Sequence, residues 1–239
     1  MVQKLNIVFE DSNIIALNKP SGLLSIPDRF DPEKPNAYTI LKSLYPEVWI
    51  VHRIDKETSG LLLFAKNEVA HRDLNILFES HTIDKNYICF TESAPLEEEG
   101  IIDAPIAHSP AHTSKMMIHP KGKSSQTKFK LLERYHGHSC VLAKPLSGRT
   151  HQIRIHFAYM GCPLICDPLY GIRTEISIAD IKKRPGLSKD QEIRPLLQRT
   201  ALHSWKLNFI LNAVSYELEA ELPKDLKALQ NQLRKWTKN

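Results

Sequence analysis

The sequence predicts an α+β protein in which strands outnumber helices. Short apolar runs rich in β-branched residues recur along the chain, each bounded by turn residues. The clearest is Leu61 to Ala65, five apolar residues after Thr58-Ser59-Gly60, too short and too sharply bounded for a helix. Helical spacing of apolar residues is confined to a few segments, near 37–44, 69–80, 150–160 and 223–236.

Taken in order, 5–10 and 14–17 read as a hairpin around the turn Asp11-Ser12-Asn13. Asn18-Lys19-Pro20-Ser21-Gly22 is a fixed loop, and 23–36 is irregular with several prolines. Residues 37–44 form a short amphipathic helix that Tyr45-Pro46 ends. Asn67 is placed to cap a helix over 69–80. Strands follow at Ile88 to Phe90 and Ile101 to Ile106, separated by an acidic loop with Glu97, Glu98 and Glu99 that reads as a solvated face. Residues 108–123 read as a surface loop holding a short strand, Met116 to Ile118. Further strands are expected at 125–132 and 140–143. A helix over 150–160 stops at Gly161, and its Arg149, Arg154 and His156 suit a basic, solvated face. Residues 175–196 read as a charged excursion or flexible loop. A last hairpin turns at Asn212-Ala213, and a C-terminal helix presents Leu226, Leu229 and Leu233 on one face.

The 239 residues are enough for one sizeable core, with 42% hydrophobic and 25% charged residues. The formal charge of +5 is compatible with a polyanionic partner. No apolar run is long enough to span a membrane, and residues 1–13 lack the apolar core of a signal peptide, so a cytoplasmic protein is expected. Cys89, Cys140, Cys162 and Cys166 all sit in apolar segments and read as small buried hydrophobes, neither zinc ligands nor disulfides. His108, His112 and His119 have no carboxylate or thiolate nearby in sequence and read as loop residues, not metal ligands.

Three stretches carry candidate chemistry. In Val51-His52-Arg53-Ile54-Asp55 the carboxylate stands on a turn at the entrance to a buried strand. Such an Asp is either a turn former or a catalytic group fixed by the rigid element beside it. Tyr87, at a strand start, reads from pattern alone as a core residue. The basic segment from Ser147 to His156 reads from pattern alone as a solvated helix.

Together these stretches resemble the RluA-type RNA pseudouridine synthases. HRIDKETSGLLLFAK is similar to the HRLD region of that family, and NKPSG to its first motif. Lys85-Asn86-Tyr87 matches its K-x-Y, with Tyr87 32 residues after Asp55, the usual family interval. SGRTHQIRIH with the following DPLYG matches its most specific run, although Cys166 stands where glycine is commoner. The element around Leu202-His203 resembles R-x-x-LHA.

The resemblance implies a mixed, largely antiparallel central sheet with flanking helices, and one catalytic domain over 1–239 without an N-terminal S4 RNA-binding domain. It implies Asp55 as nucleophile, Arg149 as its arginine partner and Tyr87 as the residue that stacks on the extruded uracil. It assigns Arg53 to the gap the base leaves, Lys19 to support of the site floor and Leu202 to packing beside it. His52 and Arg154 are expected at the RNA. The partner is structured RNA, ribosomal or transfer, and no metal or cofactor is called for. A monomer is expected. Two other classes compete: an RNA-binding module that has lost catalysis, and a different carboxylate enzyme such as a glycoside hydrolase. The first predicts loss of Asp55, Tyr87 or Arg149, all of which are present. The second needs a paired acid near Asp55, where the motifs supply basic residues.

Overall fold

The computed structural model describes residues 5–45, 47–112, 114–182 and 195–237. Its strands are β1 (Ile7–Glu10), β2 (Ile14–Lys19), β3 (Trp49–Ile50), β4 (Ser59–Ala65), β5 (Asp84–Thr91), β6 (Glu99–Asp103), β7 (Ile106–His108), β8 (Met116–Ile118), β9 (Gln126–Arg134), β10 (Ser139–Pro145), β11 (Ile176–Ser177), β12 (Pro195–Leu197), β13 (Leu202–Leu211) and β14 (Val214–Glu219). The helices are α1 (Ala37–Leu44), α2 (Glu68–Glu79), α3 (Gln152–Tyr159), α4 (Ile178–Ile181) and α5 (Lys224–Thr237). The class is α+β, with mixed and mostly antiparallel strand pairing, as the sequence predicts. No helix among the described residues is long and apolar enough to cross a membrane. The chain folds as two compact units: Met1–Tyr87 with His203–Glu221, and Ile88–Leu202 with Leu222–Asn239.

In the first unit β4 lies between β2 and β13, antiparallel to the former and parallel to the latter. All seven of its residues are buried. Successive side chains of a strand point to opposite faces, and β4 has a core on each. Leu61, Leu63 and Ala65 pack with Ala70 and Leu74 of α2 and with Leu207 and Phe209 of β13. Leu62 and Phe64 pack with Ala37 and Leu41 of α1 and with Ile15 and Leu17 of β2. Both helices start on an Asn cap: Asn36 accepts from the Thr39 amide and Asn67 from the Ala70 amide, each at 2.8 Å. Gly60 has φ +107, and a Cβ there would lie 2.1 Å from the Ser204 carbonyl oxygen on β13. Close pairing of β4 with β13 therefore requires glycine.

Strands β13 and β14 form the expected hairpin, closed by Asn212 (φ 50) and Ala213 (φ 64). Both turn residues are left-handed, the geometry of a type I′ turn.

In the second unit the strand order is β5-β10-β9-β6, with β9 antiparallel to both neighbours. Helix α5 buries Leu226, Leu229 and Leu233 as their spacing predicts, and Arg199 forks onto Asp225 in its first turn at 2.7 and 2.9 Å. All four cysteines are buried and free.

Several boundaries differ from the sequence reading. Strand β5 starts at Asp84, four residues early, because Lys85 and Asn86 are buried despite their polarity. The acidic run is not all loop: Glu99 opens β6, where it faces Lys130 of β9. Helix α3 starts at Gln152 because His151 is left-handed at φ 55. It is not solvated: residues 152 to 157 are all buried. The described residues of the charged excursion include β11, which pairs with β12, and Ile176 and Ile181 are buried, as is Leu197 just after it. Its Pro185-Gly186 and Arg194, like Pro46, lie outside the described residues.

Two substitutions test these constraints by urea unfolding. Ala213→Gly relieves the left-handed penalty and is expected to stabilise by up to about 1 kcal/mol. Gly60→Ala drives a methyl into the Ser204 carbonyl and is expected to cost about 3 kcal/mol or more.

Candidate functional site

Asp55 lies in the loop from β3 to β4, within the first unit. Its own carbonyl accepts from the Thr58 amide at 3.1 Å, which closes a tight turn directly onto β4. The turn is held from outside by residues leaving β2. The Lys19 ammonium donates to the carbonyls of Pro20 (2.9 Å), Leu23 (2.7 Å) and Lys56 (3.1 Å). The Gly22 amide donates to the same Lys56 carbonyl at 2.9 Å. The Ser21 hydroxyl donates to the Glu57 carbonyl at 2.7 Å. Asp55 is half-buried and Arg53 is exposed on the same loop.

Beyond Ile50, β3 no longer covers β4, and His52 takes over the next donor. Its Nε2 accepts from the buried Leu63 amide at 2.9 Å, and its ring stacks on Phe78 of α2 with centroids 4.6 Å apart. An Nε2 that accepts leaves the ring proton on Nδ1, so the imidazole is neutral. Burial, with the nearby Lys85 charge adding to it, pushes its pKa down to about 3. Tyr87 is half-buried on β5. Lys85, two residues earlier, is buried, and burial lowers the pKa of its ammonium. At the start of β4, the Ser59 hydroxyl bonds His203 Nδ1 at 3.0 Å, and His203 Nε2 donates to the Ala220 carbonyl at 2.9 Å.

The second unit holds Arg149, Arg154 and Leu202. Arg149 is half-buried in the loop from β10 to α3, with Nε donating to the Ser124 carbonyl at 3.4 Å. The buried Gln152 side chain organises that loop. Its Oε1 accepts from the Ser147 hydroxyl (2.7 Å) and the Arg149 amide (3.1 Å), and its Nε2 donates to the Gln126 carbonyl (2.9 Å) and to Thr127 Oγ1 (3.1 Å). Thr127 Oγ1 in turn bonds His156 Nδ1 at 2.9 Å, and His156 Nε2 bonds the Ala104 carbonyl at 3.0 Å. His151 bonds the Tyr170 hydroxyl at 2.9 Å. Leu202 is buried, and its carbonyl accepts from Arg199 at 3.4 Å.

Arg154 forks onto Asp167 at 2.7 and 2.9 Å, both side chains buried. Burial alone would raise the Asp167 pKa, but Arg154 and the amides of Leu169 and Tyr170 lower it overall. Lys19 and Arg154 therefore have their charged groups engaged inside the protein, half-buried His52 has its Nε2 engaged there, and of the residues expected at the RNA only Arg53 is exposed. Sequence reasoning missed Gln152 and His203, and also Ser25, whose Oγ bonds both the carbonyl (2.7 Å) and the amide (3.1 Å) of Ile54, next to Asp55. Gln152 lay within a recognised motif, whereas Ser25 stood in a stretch with no periodicity at all.

Comparison with known proteins matches residues 13–159 to the RNA pseudouridylate synthase family. The ribosomal large subunit pseudouridine synthase D of Nitrosomonas europaea is 34% identical over 238 residues, covering 96% of this chain and 65% of the relative. The dual-specificity RNA pseudouridine synthase RluA of Vibrio vulnificus is 37% identical over 170 residues, covering 69% of this chain and 68% of the relative. The chain thus spans about two thirds of the length of these relatives. Among solved structures, human RNA pseudouridylate synthase domain containing 4 has the same fold, with a TM-score of 0.75 at 23% identity, over 96% of this chain and 93% of that one. The chain belongs to the RNA pseudouridylate synthase family.

Two outcomes follow from the site geometry. Above pH 6.5 His52 is neutral whether folded or unfolded, and its bond to Leu63 contributes fully. As pH falls from 6.5 towards about 3, the unfolded chain takes up a proton that folded His52 refuses, so stability is lost by up to about 1.4 kcal/mol per pH unit. Urea unfolding at pH 7.5 and 5.5 should show a larger loss for the wild type than for His52→Gln. Cys166 is left-handed at φ 57 with its side chain buried, so Cys166→Gly should change stability by less than about 1 kcal/mol, whereas Cys166→Val should cost more than 2. Thermal denaturation of both variants reads the difference.

Proposed function

We propose that this chain is an RNA pseudouridine synthase in which both units together form one catalytic domain, with Asp55 as nucleophile. The observation that carries the reading is the extent of the family match, residues 13–159, which includes Asp55, Tyr87 and Arg149. In the reaction the N1–C1′ bond of a uridine breaks and the base turns. C5 then bonds C1′, N1 gains a proton and C5 loses one. The conversion is isomeric and needs no oxidant, energy source or cofactor. A carboxylate suits the nucleophilic role because its reference pKa near 3.9 leaves it ionised at neutral pH.

Arg149 is the arginine partner of that carboxylate, a role for which the planar guanidinium fork is better suited than an ammonium. Tyr87 stacks on the extruded uracil and serves the loss of the C5 proton. Arg53, exposed on the Asp55 loop, fills the gap the base leaves. Extruding a base from folded RNA costs a few kcal/mol, which such contacts offset. Lys19, His52 and Arg154 are positioning residues in this reading, and Leu202 packs beside the site. The substrate in this reading is ribosomal RNA, transfer RNA or both; the relative named for the ribosomal large subunit supports the first, and the relative named for dual specificity supports more than one RNA target. A monomer working on RNA in the cytoplasm accords with this chemistry.

The test is pseudouridine mapping by carbodiimide labelling and primer extension, on total RNA from cells with and without the gene. One or more uridines should lose their mark in the deletion and regain it with the wild-type chain, but not with Asp55→Ala. In purified protein Asp55→Ala should lower the rate by more than about 10³-fold, and Arg149→Lys by about 10- to 100-fold. Full restoration by Asp55→Ala would remove Asp55 from the chemistry.

A further inference from the structure

We propose that Ser25 is a positioning residue for Asp55, because its hydroxyl holds both backbone polar groups of Ile54 and so fixes the peptide from which Asp55 extends. The Ser25 Oγ donates to the Ile54 carbonyl at 2.7 Å and accepts from the Ile54 amide at 3.1 Å. Ser25 is 4% exposed and Ile54 8%, so no water competes for these groups. The Ile54 carbonyl lies in the plane of the Ile54–Asp55 peptide. Holding it sets the direction of the Asp55 Cα, and with it the carboxylate. A hydroxyl is the smallest side-chain group that donates and accepts at once, which is what one residue's N–H and C=O together require.

Ser25 is itself anchored. Its carbonyl accepts from the Tyr38 amide at 3.2 Å, and the Leu24 carbonyl accepts from the Ala37 amide at 2.8 Å, both at the N-terminus of α1. The path runs from a capped helix through one hydroxyl to the peptide before the nucleophile. The other contacts on this turn, from Lys19, Ser21 and Gly22, fall on Lys56 and Glu57, beyond Asp55. On the side from which Asp55 is approached, Ser25 holds the adjacent residue, Ile54, while the next side-chain anchor, His52, lies three residues back. Small misplacement of a reacting group costs rate far more than it costs binding. Removal of this hydroxyl should therefore appear in kcat and leave KM nearly unchanged.

The inference rests on the reading of Asp55 as nucleophile, and the experiment separates the two. Total RNA carrying 5-tritiated uridine is purified from cells lacking the gene, and tritium release is followed with wild type, Ser25→Ala, Ser25→Thr, Ser25→Cys and Asp55→Ala. Ser25→Ala should lower kcat about 10- to 100-fold with KM within twofold, and Ser25→Thr, which keeps the hydroxyl, should recover most of it. Equal kcat for Ser25→Ala and wild type, beside an inactive Asp55→Ala, overturns the positioning role alone. An active Asp55→Ala overturns the nucleophile reading. Should Ser25→Ala fail to fold, Ser25→Cys, similar in size but a weak donor, decides. A kcat well below that of Ser25→Thr supports the role, and a kcat equal to wild type overturns it.

Discussion

Strand β4 has a hydrophobic core on each face, and the first unit is arranged around that fact. With Leu61, Leu63 and Ala65 on one side and Leu62 and Phe64 on the other, a register slip of one residue would exchange the two sets between cores of different shape. The strand is therefore fixed along its length and across its width. Fixing β4 also fixes β2, whose last partner is the pair Lys19 and Gly60. The chain leaving β2 at Pro20 consequently runs beside the turn that enters β4, which is why residues 19 to 25 supply the bonds that hold 54 to 57. Gly60 matters twice here: it admits β13 at close range and it ends the β2 pairing at the point where the clamp begins.

The buried cations change how charge is read in this protein. Lys19 and Arg154 contribute to the formal charge of +5, yet one points at three carbonyls and the other is paired with Asp167. Taking an ammonium out of water is costly unless its donors are met, and Lys19 spends all three on backbone oxygens. Removing either partner of the Arg154–Asp167 pair would leave the other buried without compensation. A positive residue inside a nucleic-acid-binding motif is thus not by itself a phosphate contact.

Much of this was legible in the sequence. The apolar run of β4, the Asn67 cap, the Asn212-Ala213 turn and the apolar face of α5 are local signals, and each appears where its pattern places it. What local pattern misses is set by distant partners. Arg154 and His156 read as a solvated face because Asp167, Thr127 and Ala104, which satisfy them, are 13 or more residues away. Strand β5 looked shorter because Asp84, Lys85 and Asn86 are turn-like residues that the sheet recruits. The division between the two units falls at Tyr87, inside β5, where no linker composition marks it. Ser25 gave no signal, since nothing local distinguishes a serine that bonds solvent from one that bonds a peptide 29 residues away.

The bond from the Leu63 amide to His52 has a kinetic consequence. Its neighbours in β4 are held by strand ladders, whose protons exchange with deuterium only when the sheet opens. Leu63 is held by a side chain on the Asp55 loop, so its proton is released when that loop lifts, whether or not the sheet opens. A single backbone amide thus acts as a clock for the loop, embedded in a strand that keeps much slower time.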